Sequence, residues 1–361
     1  MRTGLLRTMM QKLLMSVCVA GLLAAQNPTV QDSGPGGATF GVTTHNVLVP
    51  VTVRDRAGNS VPGLTPYDFR LFDNNKAQAT AEDMAQHPLS VVVVIQANSD
   101  VEKILPNIMK QASTFESLVV GADGEVAVLC FDRRIQTLTG FTSDDAQIDQ
   151  AFRKLKPGSY TATLNNAAME GITLLRTRPP ERRRVMLLIS ENRDKGSDIG
   201  AREVLTEAEF RNVIIYSLNV SQLLAALTGT PLPNRPDNRP PGAVFLGGGN
   251  TNTPTTESQM DMGNWVPALK DIFVAGKGVF VKDPLDVYTR YTGGRECGFK
   301  TDKALANCVA QIGDELHSQY LLSYAPNNMN EAGFHHIVVQ VSKAGLEVRT
   351  REGYWIAAKP E

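Results

Sequence analysis

LSVVVVIQANSD, Leu89 to Asp100, is an apolar run that passes directly into a short polar stretch. Four consecutive valines and an isoleucine favour extended backbone, and a run without polar alternation is the habit of a strand buried on both faces, as in a parallel sheet covered by helices. Beyond the polar stretch, Val101, Ile104, Leu105, Ile108, Ala112 and Phe115 recur at helical spacing and predict a helix over 101–118. In an open α/β sheet of such strand and helix units, ligands bind at the carboxyl ends of the strands. Gln96, Ala97, Asn98, Ser99 and Asp100 therefore stand where a site is expected.

The same alternation continues downstream. Strands are read at 90–96, 125–131, 135–141, 185–190 and 213–218, and helices at 144–155, 165–176 and 202–211, with two further helices at 265–273 and 302–316. Upstream, Val47, Val49, Val51 and Val53 alternate with their neighbours, a Gly58-Asn59 turn follows, and Phe69-Arg70-Leu71-Phe72 makes another short strand. This leading piece is small for a β-sandwich, which takes about 100 residues. Strands 320–324, 337–341 and 346–349 supply the remainder from the other end of the chain. The expectation is an α/β doubly wound, mostly parallel sheet over 88–319, inserted into a β-sandwich (Ig-like) domain built from 46–87 and 320–357.

With 361 residues, two domains are the default. Arg2, Arg7 and Lys12 lead into the apolar run Leu13 to Leu23, and Ala24-Ala25 offers a small-residue cleavage point, so 1–25 reads as a secretory signal peptide. The apolar run is shorter than the roughly 20 residues needed to span a bilayer. Val17 directly before Cys18 argues against a lipoprotein anchor. Residues 26–45 form a Gly-rich leader, and the stretch 228–262, with Pro231, Pro233, Pro236, Pro240, Pro241 and Gly247-Gly248-Gly249, reads as a disordered surface loop. It lacks the Gly-Lys-Ser/Thr of a phosphate-cradling loop. Cleavage removes three positive charges and takes the net charge from -1 to -4, which argues against a nucleic-acid partner. The expected location is secreted or periplasmic.

Cys297 and Cys308 lie close together, and an oxidising compartment makes a disulfide between them the expected state, two buried free thiols being the alternative. Cys130, within an apolar strand, reads as a small core residue. His335 and His336 are adjacent in a strand, point to opposite faces and cannot share a metal; an exposed strand pair is the reading. His45, His87 and His317 are isolated, with no nucleophile elbow near them, so no enzyme activity is expected. Arg182-Arg183-Arg184 reads as a solvated connection into a strand, an anionic docking patch being the alternative. Leu223, Leu224 and Leu227 fit a short buried helix or a partner-binding surface.

Several stretches together resemble the von Willebrand A-related family common in Acidobacteria, over most of the chain from Asn46 to Trp355. They are VLVPVTVRD from Val47 to Asp55 with Gly63-Leu64-Thr65 and Asp68-Phe69, the strand Val91 to Ile95, Arg182-Arg183-Arg184 leading into Val185 to Ser190, Thr292-Gly293-Gly294-Arg295, YLLSYAP from Tyr320 to Ala325-Pro326, and VRTREGY from Val348 to Tyr354. The resemblance implies a metal-ion-dependent adhesion site: an Asp-x-Ser-x-Ser loop after the first strand, a Thr in the middle and an Asp after a later strand. Magnesium or calcium would be held by oxygen ligands with one position open to a partner carboxylate. Here the positions carry Gln96, Asn98 and Asp100, then Thr161 or Thr163 flanking Ala162, then Glu191. Two readings stay open. In one, Gln96, Asn98, Asp100, Thr161 and Glu191 hold Mg2+ or Ca2+ in a rearranged site; in the other the site is degenerate and Asn98 or Ser99 caps the following helix. Either way the family implies a protein-binding or adhesion-type module, with a structural or assembly part in a cell-envelope complex as the alternative.

Overall fold

The computed structural model describes residues 46–82, 87–115, 123–229 and 283–356. The expected signal peptide, the leader, the Pro/Gly-rich loop beyond Gly229 and helix 265–273 lie outside the described residues. Strands β1 (Val47–Arg54), β2 (Phe69–Asp73), β3 (Lys76–Gln78) and β4 (Ala81–Glu82) precede the apolar strand β5 (Leu89–Gln96). Then come α1 (Leu105–Met109), α2 (Ala112–Phe115), β6 (Glu125–Phe131), β7 (Ile135–Thr142), α3 (Asp145–Arg153), α4 (Leu164–Arg176), β8 (Arg183–Ser190), α5 (Ala201–Phe210), β9 (Val213–Asn219) and α6 (Ser221–Thr228). From residue 283 the chain forms α7 (Pro284–Thr292), β10 (Glu296–Gly298), α8 (Asp302–Ser318), β11 (Tyr320–Tyr324), β12 (Gly333–Val341), β13 (Glu347–Thr350) and β14 (Gly353–Ile356).

β5 lies in the middle of a six-stranded sheet of order β10-β9-β8-β5-β6-β7, parallel except where β7 runs against β6. Every residue of β5 is buried. Val91, Val93 and Ile95 enter one core with Ile108, Phe152, Ile312 and Leu316, while Val92 and Val94 enter another with Ala168, Ile172, Leu205 and Tyr288. The valine run is thus the part of the sheet that both helical layers share, and each such side chain contributes about 1.5–3 kcal/mol of burial. β5 continues to β6 on one side and the chain returns to β8 on the other, so the order reverses between β5 and β8. Loops leaving that switch point are where such a sheet holds ligands.

The helix expected over 101–118 is broken: a 3-10 turn at Ser99–Val101 is followed by the short α1 and α2, with residues 116–118 undescribed. Pro106 explains the interruption before α1, because it has no N–H to give the carbonyl one turn back and so sits in the first turn of a new helix. The apolar stripe survives, with Val101, Ile104, Leu105, Ile108, Ala112 and Phe115 all buried. Cys297 and Cys308 form a disulfide, Cα atoms 6.0 Å apart, that ties β10 to α8. Cys130 is a free, buried thiol whose pKa burial and then the charge of Asp132 push up to about 11. No helix among the described residues is long and apolar enough to cross a membrane.

Two four-stranded sheets, β13-β1-β11-β4 and β14-β12-β2-β3, pair strands from both ends of the chain. Val47 faces Tyr324 and Val51 faces Tyr320 across one antiparallel pair; Phe69 faces Val341 and Asp73 faces Ile337 across another. Val49, Val51, Val53, Leu71, Leu322 and Val339 share one core, while Leu321 turns the other way into the α/β core.

Two sequence readings need correction. His335 is fully buried and only His336 is exposed, because β12 is covered on the His335 side by Asp73, Asn328 and Tyr354. The arginine triplet is neither solvated nor free to dock. Arg182 donates to Ser90 Oγ (2.7 Å), Leu89 O and Asp123 O; Arg183 donates to Leu316 O and Gln319 Oε1; Arg184 donates to Arg178 O and Arg211 O. They fasten the start of β8 to its neighbours. Of the two readings open for Leu223, Leu224 and Leu227, the structure fits the short helix against the core: Leu223 is buried, Leu224 packs on the core and Leu227 is exposed.

Asp73, with no exposed surface, gathers a buried polar cluster: Tyr324 (2.8 Å) and Tyr354 (2.7 Å) donate to Oδ2, Asn328 Nδ2 donates to Oδ1 (3.1 Å), and His335 Nδ1 lies 2.7 Å from Oδ1. Replacing Asp73 by Ala strands four buried partners, and chemical denaturation should show a loss of about 3–5 kcal/mol. An unchanged unfolding midpoint would contradict this assignment. Glu209 on α5 is paired with Arg351 (3.4 Å), yet burial outweighs that pairing and raises its carboxyl from 4.5 to about 7. The folded state therefore holds a proton that the unfolded state releases between these values. Stability should fall as pH rises from about 4.5 through 7, by something on the order of 3 kcal/mol, and Glu209→Gln should flatten that part of the profile.

Candidate functional site at the strand ends

Gln96 closes β5, and its side-chain amide is buried with its hydrogen-bonding capacity filled. Its Nε2 donates to Asn98 Oδ1 (2.8 Å) and Glu191 Oε2 (3.1 Å); its Oε1 accepts from Glu191 N (2.8 Å) and lies 2.8 Å from Ser190 Oγ. An amide can do this because it offers two hydrogens and two lone pairs. A carboxylate at 96 would have no hydrogens to give and would face the Glu191 carboxylate directly.

Asn98 stands at the N-cap position of the 3-10 turn, but its side chain does not cap it. Instead Nδ2 donates to Tyr160 O (2.8 Å) and Asp100 Oδ2 (3.2 Å). The expected helix cap is thus replaced by a bridge to the loop preceding α4. Asp100 completes the chain by pairing with Lys195, the two side chains being 21% and 27% exposed. Lys195 also lies over the Tyr160 ring, 5.1 Å from its centroid. Burial opposes the ammonium, yet the hydrogen bond to Asp100 and the charges of Glu191 and Asp100 outweigh it, and the pKa is raised.

Four of the residues marked in the sequence, Gln96, Asn98, Asp100 and Glu191, thus come together in one network. Thr161 is not part of it. It is half-buried, with its methyl group against Gly196. The neighbouring Thr163 turns inward and donates to Asp132 O (3.1 Å), and Ala162 offers its carbonyl to Lys195 N (2.8 Å). Asp132, at the end of β6, shapes the loop: its carboxylate accepts from Arg134 N and Ser159 N, both at 2.7 Å. Burial would raise its pKa, but these bonds more than offset that and hold it below the usual range. Asp132, Tyr160 and Lys195 carry no spacing signal in the sequence. Only their position after strands β6 and β8, or beside α4, could have marked them.

The family that the sequence resembles implies a divalent cation here, and the residues do not fit one. A hard cation needs oxygen lone pairs converging on one point. The lone pairs of Asn98 Oδ1 and Glu191 Oε2 are instead directed at the Gln96 amide, and Asp100 Oδ2 at the Asn98 amide and the Lys195 ammonium. Among the described residues, no group of three or more His, Cys, Asp or Glu side chains is placed to hold a metal ion. What the arrangement presents outward is a fixed ion pair beside an aromatic ring, Tyr160, that is 71% exposed.

No protein-family model matches the chain, and no curated protein matches it. Solved structures similar to it include an aerotolerance-related membrane protein from Bacteroides fragilis, at 12% identity and a TM-score of 0.38 over 63% of this chain and 99% of that one. The vWF domain of the type V pili tip protein Mfa5 from Porphyromonas gingivalis is similar at 20% identity and a TM-score of 0.27, over 30% of this chain and 39% of that one. Proximal thread matrix protein 1 from the mussel byssus, whose structure has a zinc-occupied MIDAS motif, is similar at 14% identity and a TM-score of 0.41 over 68% of this chain and 49% of that one. The chain thus spans less than half the length of the latter two. The chain's own sheet order is doubly wound, and the loops that leave the switch point between β5 and β8 carry the network described above.

Proposed function

We propose that the chain is an exported, non-enzymatic protein-binding module of adhesion type, and that it binds through the strand-end surface formed by 96–100, Tyr160 to Thr163 and Glu191 to Lys195 without a metal ion. The observation that carries this reading is the closed network from Glu191 through Gln96 and Asn98 to Asp100 and Lys195, topped by exposed Tyr160. A prepaid, rigid polar surface with an aromatic residue at its rim is what a protein partner can anchor on, since exposed tyrosines supply large contact area at low entropic cost. The cross-linked Cys297 and Cys308 support an oxidising compartment outside the cytoplasm. The cross-end pairing of β1 with β11 and of β2 with β12 supports reading the two four-stranded sheets as a β-sandwich into which the α/β domain is inserted.

A second reading rests on the edges of those sheets. β13 and β4 end one sheet and β14 and β3 the other, and open edges accept strands from other chains, which suits a structural or assembly part in a cell-envelope complex. Cross-linking capture from an envelope fraction separates the readings. The triple substitution Asn98→Ala, Asp100→Ala, Glu191→Ala should abolish capture if the strand-end surface binds, and leave it intact if the sheet edges do. Release of the partner by a chelator would instead indicate metal-dependent adhesion through a rearranged site. A second check concerns Gln96 itself. Gln96→Glu should destabilise the protein by about 2–3 kcal/mol at neutral pH, because it buries a carboxylate against Glu191, and added Mg2+ or Ca2+ should not rescue the wild-type surface, which needs no ion.

A further inference from the structure

We propose that Lys195 is the resident cation of the strand-end site, a tethered ammonium that performs the charge-compensating part a divalent ion would otherwise play. This deepens the metal-independent reading above and rests on it. Four observations place the ammonium as a fixture. Its nitrogen is paired with Asp100 and lies over Tyr160. Its own backbone N–H is bonded to Ala162 O (2.8 Å), which locks the loop after β8 against the loop before α4. The preceding residue is held as well: Asp194 Oδ1 accepts from Ser197 Oγ (2.6 Å) and Asn165 N (3.2 Å). Gly196, at φ +122°, turns the chain directly after Lys195 in a conformation other residues rarely adopt, and a side chain there would press on Thr161.

The charge count fits the same conclusion. One ammonium set against Asp100 and Glu191 leaves a single residual negative charge, and a carboxylate at position 96 would add a second in a buried place. Gln96 avoids that while its two hydrogens occupy the oxygens of Asn98 and Glu191. A single-charged cation, one fewer acid and a filled amide are therefore parts of one arrangement. The practical consequence is a surface whose charge does not depend on the concentration of calcium or magnesium around it.

Titration of the full mature chain with Mg2+, Ca2+ and Mn2+ tests this, read by thermal unfolding and by Mn2+-induced broadening of backbone amide signals. The wild type should show no shift of its midpoint and no selective broadening at 96–100 or 160–163. Lys195→Met should lower the midpoint by several degrees, and excess Ca2+ or Mg2+ should recover part of that loss; Lys195→Arg should behave as the wild type. Selective Mn2+ broadening around Gln96 to Asp100 in the wild type would overturn the proposal, as would a Lys195→Met variant with an unaltered midpoint or with a loss that no divalent ion relieves. Should Lys195→Met fail to fold, the wild-type titration and the Lys195→Arg variant decide alone. Because none of these readouts involves a partner, a wild type that binds metal yet still loses its partner on the triple alanine substitution would overturn the role of Lys195 and the metal independence, and leave only the strand-end location of the binding surface standing.

Discussion

Glu315 is a carboxylate with 1% of its surface exposed, and the α/β sheet and the four-stranded sheet β13-β1-β11-β4 are fitted around it. Tyr216 of β9 donates to it at 2.8 Å, Arg54 of β1 lies at 3.4 Å, and Arg349 of β13 pairs with it from the opposite side. An isolated carboxylate in such a place would cost several kcal/mol, so these partners must be present together. Burial, and then the charge of Glu315, push the Tyr216 hydroxyl upward, which keeps it protonated and able to donate. Arg349 also reaches the carbonyls of Gly293 and Gly294, and the latter glycine lies so close to Ile215 O that a side chain there has no room. The junction between the sheets is therefore polar, crowded and specific in register, rather than a greasy interface that could slide.

The strand-end site obeys the same rule of complete pairing at a smaller scale. Gln96 and Asn98 are buried amides whose hydrogens are all donated within the network, and the network opens to solvent at the Asp100–Lys195 pair beside Tyr160. Buried polar groups in this condition rigidify a loop as firmly as apolar packing does. The surface that the domain shows at its strand ends is thus preformed, and binding there needs no reordering of 96–100.

Much of the fold could be read from the sequence because its strands carry unmixed signals. Val91 to Ile95 and Val185 to Ile189 have no polar alternation, and the sheet buries them on both faces. The helix over 101–118 was legible as an apolar stripe but not as a set of pieces, since the stripe is blind to the N–H that Pro106 lacks. α7 went unread although Asp283, Pro284 and Gly293 mark its ends as cap, first turn and left-handed stop; its mixture of Thr, Tyr and Val gives no clean period. At the site, position after a strand was enough for Gln96, Asn98 and Asp100, whereas Glu191 was marked only by the family resemblance. Lys195 was not legible, because a loop residue finds its partner through the path of two loops and not through any spacing. His335 was misread for a related reason: alternation separates its face from that of His336, but the partner that buries it, Asp73, lies 262 positions away.

The pairing of the first strands with the last has a consequence for the life of the chain before it is folded. Tyr324 and Asp73 meet across 251 positions; β1 has no sheet neighbour until β11 exists, and β2 has only the short hairpin partner β3 until β12 exists. During synthesis the earliest segment emerges as two apolar ribbons with open edges, and it must wait while the whole α/β sheet is made between them. Loop closure on that scale adds little to the equilibrium cost, since it grows only with the logarithm of length, but it delays assembly and leaves aggregation-prone edges uncovered for the longest stretch of the chain's production. The outer sheets are complete only once β11 to β14 have been made, so loss of those strands is a lesion of β1 and β2 as well.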